Sequence, residues 1–593
     1  MARALFPISF PASIALCLML LTLPLAAQDL RVEGGDEDLR ARLAGDALVL
    51  SGKSADTPGD LIATAKGDYG RLLAILYEEG YFSATVSIRL GGREASTLTS
   101  FNAPAALGAP VVEIATGPRF TFGRADIRPL APNTTAIEGF SPGATAGTAQ
   151  IEAAGRGALA DWRDASHAKA AITGQEVVAR HRAAELDVAL AIDPGPALRF
   201  GRLITPPDAS VSDRRLQQIA GMPSGEAFSP DGVRDVRRRL VDTGTFNSVV
   251  VSEADIPNPD GTLDLELALE AAPLRRLGFG AEIETTNGLS LEAFWLHRNF
   301  RGRAQRLRFD ASIKGIGGET GGVDVSLGTT LSIPGFRRAD DTLELGLLVA
   351  RIDDEEFEEN LVQLTARRER RVNETLVIGQ GVGFRFSESR DAFGTRTFGH
   401  LILGADAERD RRDDPLNPRA GTYGILDARP FIAVAGGDTG LKFDADLRAY
   451  RSLGARTVIA GRAQLGTILL ADLEGTPPDF LYYSGGGGTV RGQGFESLGV
   501  VQDVGTTGGR GFAGLSLEVR QNITEALGVV GFLDYGYVSE SGTFESGEGH
   551  GGAGLGVRYN TALGPLRVDL GVPVGESSDG TSYALYIGLG QAF

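Results

Sequence analysis

Regular alternation of apolar and polar residues begins near Leu274 and continues to the end of the chain. A period of two residues indicates β-strands with one apolar and one polar face. An even number of such strands, joined in sequence, can close into an antiparallel barrel. Residues 273–593 are therefore predicted to form an all-β antiparallel transmembrane barrel of about sixteen strands. The predicted strands begin near Leu274, Leu289, Gln305, Val323, Thr342, Asn360, Thr375, Thr397, Gly421, Leu441, Thr457, Ala513, Leu527, Gly552, Pro565 and Thr581.

The same alternation assigns the two faces of each strand. In the last strand Tyr583, Leu585, Ile587 and Leu589 share one parity, which we expect to face lipid. The charged residues of the last strands then have the opposite parity and face the lumen: Glu518, Arg520, Asp534, Arg558, Arg567 and Asp569.

The connections predict which rim faces which compartment. Those after even-numbered strands are mostly short, as expected of periplasmic turns, and the longest follow odd-numbered strands. The longest of all is an inserted loop over 470–512. The acidic run 353–359 falls in a predicted outer loop and the basic run 367–371 near a periplasmic turn. We interpret both runs as solvated faces.

The first half contains a repeated junction. Gly117-Pro118 introduces a sequence that recurs at Gly195-Pro196 and, more loosely, at Ala272-Pro273. Each copy follows an alternating strand, and helical periodicity lies upstream. This domain-sized repeat predicts three α/β units over 28–117, 118–196 and 197–272. The middle unit is degenerate, since Trp162 and the stretch 167–171 replace its glycine-aromatic step.

The N-terminus has the order of a secretory leader. Arg3 precedes an apolar stretch, and Leu25-Ala26-Ala27 precedes polar residues, so we expect residues 1–27 to be removed. Lipidation at Cys17 is an alternative, although Leu16 is bulky for that cleavage. Cys17 is the only cysteine. No later segment is apolar for long enough to form a membrane-spanning helix, so only a closed barrel could cross a bilayer.

Composition and charge mainly exclude certain classes of function. A formal net charge of −18 argues against a nucleic-acid partner. The five histidines are scattered, no nucleophile motif is visible, and the glycine-rich stretches lie in predicted strands rather than before a helix. We therefore expect no enzyme activity, no cofactor and no metal.

Several motifs then point to a known family. Val490-Arg491-Gly492 lies within the glycine-rich part of the inserted loop, and Asp413-Asp414-Pro415 with Pro418 and Gly421 follows the eighth strand. Glu518, Asp534 and Gly564-Pro565-Leu566-Arg567 add to these, as does Phe593. Together they resemble the BamA-like barrel superfamily, and within it the TamA family, although a common aromatic is replaced by Gln493. The resemblance implies three POTRA-like domains before the barrel, a periplasmic turn motif at Asp413–Gly421, and location in a Gram-negative outer membrane.

The resemblance also implies a lock between loop and wall. In the family the loop arginine bonds acidic residues of the inner wall, which here implies Arg491 with Glu518 or Asp534, next to Val490 and Gly492. Alternation alone had placed both carboxylates in the lumen. Alternatively, Arg491 is simply solvated. If the lock exists, Arg491→Ala should impair function more than Arg567→Ala.

A second implied site is the lateral seam between the first and last strands. The predicted strand 274–285, with Leu277 and Phe279, must pair with 581–593. Gly588 and Gly590 offer little cross-strand contact, so the seam could open sideways. Alternatively, these glycines only relieve crowding in the lumen. The remaining predicted seam residues are Tyr583, Leu585 and Phe593.

The family resemblance implies a factor that helps client β-barrel proteins, autotransporters among them, to enter the outer membrane. Its implied partners are the lipid bilayer, client outer-membrane proteins and a TamB-like inner-membrane-anchored protein held through the POTRA domains. A general BamA-type insertase, a two-partner secretion pore and a passive porin remain alternatives. Three repeated units disfavour the insertase, which usually has five, and the inserted loop disfavours the porin.

Overall fold

The computed structural model describes residues 29–51, 57–101, 103–104, 106–132, 134, 136–284, 288–318, 321–503, 505–561, 564–575, 580 and 582–593. The predicted leader and Cys17 lie outside these ranges, as do Thr285 and Thr581 of the predicted seam. The chain forms two compact units, 1–199 with 227–230 and 200–226 with 231–593. Among the described residues, no helix combines the length and apolar character needed to cross a membrane.

The first unit begins with a four-stranded α/β domain. Its elements are β1 (Asp29–Glu33), α1 (Glu37–Asp46), α2 (Leu48–Ser51), α3 (Pro58–Glu78), β2 (Thr85–Leu90), β3 (Arg93–Glu94) and β4 (Pro110–Ala115). The sheet has the order β1-β4-β2-β3. Helix α3 starts where the sequence dictates, because Thr57 and Asp60 form a capping box and Pro58 occupies the first turn. Buried Leu72 and Leu76 of that helix pack on the sheet.

The second domain of this unit has one helix on a three-stranded sheet. Its elements are β5 (Thr121–Arg128), α4 (Thr148–Asp164), β6 (Ala171–Arg180) and β7 (Glu185–Asp193), with the sheet ordered β5-β7-β6. Helix α4 ends beside the stretch that made the repeat degenerate. Trp162 donates to the Pro129 carbonyl at 3.1 Å and packs edge-on against His167, so an indole takes the place of the glycine-aromatic step.

The second unit opens with another α/β domain. Its elements are β8 (Arg199–Ile204), α5 (Asp213–Ala220), α6 (Pro230–Asp242), β9 (Phe246–Glu253) and β10 (Thr262–Ala271), with the sheet ordered β8-β10-β9. This domain is fixed to the rim of the barrel. Arg239 forms two bonds to Asp340, at 2.7 and 2.8 Å, and Arg215 donates to the Pro334 carbonyl at 2.7 Å.

The remaining chain closes into an antiparallel barrel of sixteen strands, which confirms the predicted fold class. Each strand pairs with its neighbour in sequence, and the last pairs with the first. A short hairpin, β22 (Val500–Gln502) and β23 (Gly505–Thr507), lies outside the barrel sheet. The barrel strands are β11 (Arg275–Glu284), β12 (Gly288–Phe300), β13 (Gln305–Ile316), β14 (Asp324–Pro334), β15 (Asp341–Asp353), β16 (Phe357–Arg371), β17 (Leu376–Asp391), β18 (Gly394–Asp410), β19 (Gly421–Ala435), β20 (Gly440–Leu453), β21 (Thr457–Leu469), β24 (Gly511–Asn522), β25 (Leu527–Ser539), β26 (Gly547–Thr561), β27 (Gly564–Val574) and β28 (Ala584–Leu589).

The predicted faces are confirmed. Leu515, Leu517 and Val519 are exposed on the outer wall, whereas the alternating residues Ser516, Glu518 and Arg520 are buried inside. Exposed apolar residues outside and charged residues inside are the arrangement expected of a barrel in lipid.

The connections only partly follow the prediction. The longest, 470–510, does follow an odd-numbered strand, the eleventh. The connections 354–356, 392–393 and 436–439, however, are as short as those at the other rim. The reason is that β17 and β18 have 16 and 17 residues, more than the roughly 9–11 that a bilayer requires, so the hairpin extends as strand rather than loop.

The basic run 367–371 is not a solvated face. Arg368 and Arg370 both bond the fully buried Asp341, and Arg367 bonds Asp406 at 2.6 and 3.0 Å. These arginines instead pair with carboxylates on other strands, Asp341 on β15 and Asp406 on β18, which the charge pattern along the sequence could not show.

Candidate functional site: the inserted loop and the seam

The inserted loop leaves β21 and returns at β24, with the β22–β23 hairpin near its end. Its tip, Val490-Arg491-Gly492, is buried against the inner wall. Val490 has no exposed surface and Arg491 is 2% exposed. The tip is therefore enclosed by the barrel rather than extended into solvent.

Arg491 bonds both carboxylates that the sequence offered as alternatives. Its Nε and Nη2 donate to the two oxygens of Asp534 at 2.7 and 3.0 Å. Its Nη1 donates to Glu518 at 2.6 Å and lies 3.5 Å from Asp569. The guanidinium carbon also stands 3.7 Å from the centroid of the Phe532 ring. This fork geometry suits a guanidinium and not a lysine ammonium.

The clamp belongs to a larger buried network of six charged groups. Arg520 donates to Glu518 at 2.8 Å, and Arg558 bonds both oxygens of Asp569. Three arginines thus balance the three carboxylates Glu518, Asp534 and Asp569. Because every member is paired, the network is stable where a single unpaired charge would be costly.

Three wall glycines make room for the loop backbone. A Cβ on Gly552 would overlap the Arg491 carbonyl oxygen, and one on Gly571 would lie 2.7 Å from the Gly492 nitrogen. A Cβ on Gly536 would overlap the Ser484 hydroxyl. Gly492 itself has a φ of 97° and sits against the Val572 backbone. The strand glycines are therefore required by the loop.

Two further contacts hold the tip. Gln493, where the family commonly has an aromatic, donates from Nε2 to the Gly551 carbonyl at 2.8 Å. The Gly492 amide donates to the Tyr586 hydroxyl at 3.0 Å. Tyr586 lies on β28, so the loop bonds directly to the last strand of the barrel.

The start of the loop is anchored on another part of the wall. Arg385 of β17 bonds Glu359 and Asp479, both at 2.7 Å, and Asp479 belongs to the loop. Lys442 of β20 donates to the Phe480 carbonyl at 2.6 Å and stands 4.1 Å from the centre of the Tyr482 ring. Two separate anchors therefore hold the loop.

The predicted turn motif forms the connection 411–420. Asp413 Oδ1 accepts from the amides of Asp414, Arg419 and Ala420, and Asp414 accepts from two later amides. Gly421 has a φ of 104°, and Pro418 is buried. Pro415 accepts from Arg412 through its carbonyl at 3.2 Å. These bonds give the turn a defined shape.

The seam pairs over only part of its length. Residues Ile283 and Glu284 of β11 are in register with Ile587 and Tyr586 of β28. From Arg275 to Glu282, β11 pairs with β12 but with no described residue of β28. Leu277 and Phe279, predicted as seam residues, lie in this open part and are 63% and 82% exposed. Tyr583 precedes β28, and Leu585 pairs with Leu570 of β27.

A side-chain bridge crosses the open part. Arg567 of β27 reaches past Gly588 and donates to Glu282 of β11 at 3.0 Å. A Cβ on Gly588 would lie 3.0 Å from the Arg567 Nε, so this glycine leaves space for the bridge. Arg567 is therefore unsuitable as the neutral comparison that the sequence suggested.

Phe593 does not lie on the seam, which corrects that prediction. After Gly590, at a φ of 94°, the chain turns into the lumen, and Phe593 is buried beside Tyr450 and Ala460. Arg520 donates to the Phe593 carbonyl at 3.0 Å. Alternation ends with the strand, so the pattern could not show this turn.

Sequence reasoning identified the clamp carboxylates but missed several partners. Asp569 was placed in the lumen but not in the clamp, and the roles of Tyr586, Gln493 and the wall glycines were not foreseen. Only the density of glycine in the last strands gave a signal for them. Within the described ranges, no group of His, Cys, Asp or Glu residues is arranged to hold a metal ion.

Comparison with known proteins agrees with this architecture. BamA from Haemophilus ducreyi lacking POTRA domains 1–3 is similar at a TM-score of 0.60 and 15% identity, over 79% of this chain and all of that one. CdiB from Acinetobacter baumannii is similar at a TM-score of 0.51 and 13% identity, over 80% of this chain and 90% of that one. At these identities the likeness concerns the fold.

The sequence of residues 276–593 matches the Omp85 superfamily domain, which is more than half of the chain. With the closed barrel, this match supports an integral outer-membrane protein with a general role in insertion or secretion. The chain belongs to the Omp85 superfamily.

Proposed function

We propose that this protein is an assembly factor of the TamA type, which helps client β-barrel proteins to enter the outer membrane. The observation that carries the proposal is the contrast along β11. Among the described residues, the early part of β11 pairs only with β12, whereas a buried network of six charged groups fixes the inserted loop of the same barrel. An edge with unpaired main-chain groups is a template for another strand.

The open part of the seam lies at the end of β11 that follows the third α/β domain. A client strand could bond there to the outward-facing amides and carbonyls of residues 275–282. The exposed Leu277 and Phe279 would then contact the apolar side chains of the client. The mechanism is strand addition, so the protein acts without catalytic residues, cofactor or metal.

The α/β domains supply the partner side of the proposal. Residues 1–27 act as a cleaved leader, and three POTRA-like domains lie in the periplasm. The first binds a TamB-like, inner-membrane-anchored protein. Its sheet ends in β1, which pairs on one side with β4, so a partner strand could add to the other edge.

A disulfide across the paired part of the seam tests the mechanism. Ile283→Cys with Ile587→Cys, in a Cys17→Ser background, joins two residues that are in register. Oxidation should abolish the appearance of client barrels in the outer membrane, and reduction should restore it. The matched control is Ala293→Cys with Ala311→Cys, which joins β12 to β13 in register away from the seam. Undiminished assembly by the oxidised seam variant would exclude lateral opening.

Two measurements separate the alternatives. Depletion of the protein should remove a limited set of barrels, autotransporters among them, whereas loss of nearly all barrels would indicate a general insertase. The inserted loop occupies the lumen, so planar-bilayer recordings should show little steady conductance. A large, stable pore would favour a porin.

A further inference from the structure

The segment Gln591-Ala592-Phe593, here called the inward segment, follows β28 and is held by the same network that clamps the loop. Arg520 donates from Nε to Glu518 at 2.8 Å and from Nη2 to the Phe593 main-chain oxygen at 3.0 Å, and Nη2 also lies 2.8 Å from Glu518. Its guanidinium also lies against the Phe593 ring, 5.5 Å from the centroid. One arginine thus joins the clamp to the inward segment.

A second arginine repeats this arrangement. Arg558 bonds Asp569 and donates from Nε to Gln591 Oε1 at 2.9 Å. Gln591 in turn donates to Asn417 of the turn motif at 2.9 Å. Two bonded paths therefore lead from Arg491, one through Glu518 and Arg520, the other through Asp569 and Arg558, and both end on the inward segment.

We propose that Arg520 and Arg558 are positioning residues that make the inward position of this segment depend on the seating of the loop tip. When the tip withdraws, the segment is released and the end of β28 moves away from its place in the barrel. The inference deepens the proposed function, because that end of β28 faces the open part of the seam.

Charge balance supplies the physical cause. With Arg491 seated, the network holds three arginines and three side-chain carboxylates, and the two positioning arginines have donors to spare for the Gln591 amide oxygen and the Phe593 main-chain oxygen. Without Arg491, three buried carboxylates face two arginines. Charge-assisted bonds are stronger than bonds to neutral acceptors, so Arg558 leaves the Gln591 amide oxygen for the carboxylates, and Arg520 is drawn toward them as well. Nη1 of Arg520, which has no acceptor among the described residues, is available for this.

Direct bonds from the tip strengthen the same coupling. The Gly492 amide bonds Tyr586 on β28, so withdrawal removes this contact as well. Near the paired part of the seam, the last strand thus loses the bond to Tyr586. Beyond the end of the strand, the bonds to Gln591 and Phe593 are lost as well.

A single cysteine in the inward segment reports its release. In the full-length protein with Cys17→Ser and Ala592→Cys, we measure the rate of maleimide labelling in lipid. Arg491→Ala should raise this rate about tenfold, as expected for loss of a charge-assisted hydrogen bond. The pair Arg520→Gln with Arg558→Gln should raise it as much while Arg491 is still present.

Non-additivity identifies the coupling. Adding Arg491→Ala to the pair should raise the rate far less than the product of the two separate effects, because both bonded paths are already broken and only the Gly492–Tyr586 contact remains to be lost. Arg520→Lys should label more slowly than Arg520→Gln, since a positive charge is kept. The control Arg448→Gln, in a luminal arginine bonded to Asp446, should leave the rate unchanged.

Two outcomes would overturn the inference: an unchanged rate in Arg491→Ala, or increases that multiply when the variants are combined. Should the double variant not fold, Gly552→Ala displaces the tip without removing charge and must also raise the rate. Client assembly is scored separately. Faster labelling with normal assembly would leave the coupling intact and reject the proposed function.

Discussion

The clamp wall, which receives the inserted loop, lies on strands next to those of the seam. The two regions are stabilised in opposite ways. The clamp wall uses buried, fully paired charges from β24, β25 and β27. The seam uses a short stretch of main-chain pairing and one ion pair in which Glu282 is 56% exposed. Burial raises the free energy needed to break the clamp contacts. Solvent screening weakens the ion pair of the seam, so less free energy is needed to break it.

Glycine serves the two regions differently as well. On the clamp wall, Gly536, Gly552 and Gly571 let the loop backbone approach the strands closely. At the seam, Gly588 lets a side chain pass between two strands. One residue type therefore helps to fix one interface of the barrel and leaves the next adjustable.

The largest expected effect comes from removing the clamp cation. Arg491→Ala leaves three buried carboxylates under-compensated, which should cost about 3–5 kcal/mol of loop seating. Limited proteolysis of the loop, measured on the folded barrel, should become much faster, and client assembly should fall. Arg351→Ala is the control, because this arginine pairs with Asp353 near the end of its own strand and is largely exposed. Equal effects of the two would remove the distinction between the regions.

A smaller effect is expected from adding a side chain at a glycine of the wall beneath the loop tip. Gly552→Ala places a methyl group against the Arg491 carbonyl and should cost about 1–3 kcal/mol, as overpacking usually does. The same proteolysis assay measures it. Gly551→Ala is a matched control on the adjacent residue, where a Cβ would meet its nearest neighbour at an ordinary 3.4 Å. Similar loop cleavage in both variants would contradict a steric role for Gly552.

The fold could be predicted far better than the site. Strict alternation fixes both the strands and their faces, so the sixteen strands and the luminal position of Glu518 and Asp534 follow from sequence. The partners of Arg491 depend on where a long loop returns through space. The bond from Arg491 to Asp569 and the bond from Gly492 to Tyr586 join residues that are far apart in the sequence. No periodic pattern connects these residues.

The departures from prediction share a physical origin. Phe593 was assigned to the seam because alternation was continued beyond Leu589, where the strand ends and Gly590 turns the chain inward. The arginines of the run 367–371 were assigned to solvent because their carboxylate partners lie on other strands or in distant sequence. In both cases the position of a side chain was predicted from the pattern along one strand, although contacts with other strands determine it.

The bridge across the seam should matter less than either change at the clamp. Arg567→Ala removes an ion pair with an exposed partner, worth about 0.2–1 kcal/mol. In a protein that also carries Ile283→Cys and Ile587→Cys, the rate of disulfide formation between the two introduced cysteines should change by only a few fold. Glu282→Ala should have the same effect, and the double variant no more than either alone. A loss as large as that of Arg491→Ala would make the seam, not the clamp, the dominant interface.

At the outer rim, pH should adjust the later part of the loop. Burial, together with the neighbouring carboxylate of Asp354, raises the pKa of Glu496 to about 8. The folded protein therefore holds a proton there that the unfolded chain releases near its ordinary pKa of 4.5. The free energy of unfolding should fall as pH rises between these values and level off above about 8. Thermal unfolding from about pH 5 to about pH 9 measures this, and Glu496→Gln should flatten the slope.

Since the clamp arginine stays charged throughout, the tip should remain seated while the rim loosens; release of both together would mean that the loop moves as one body.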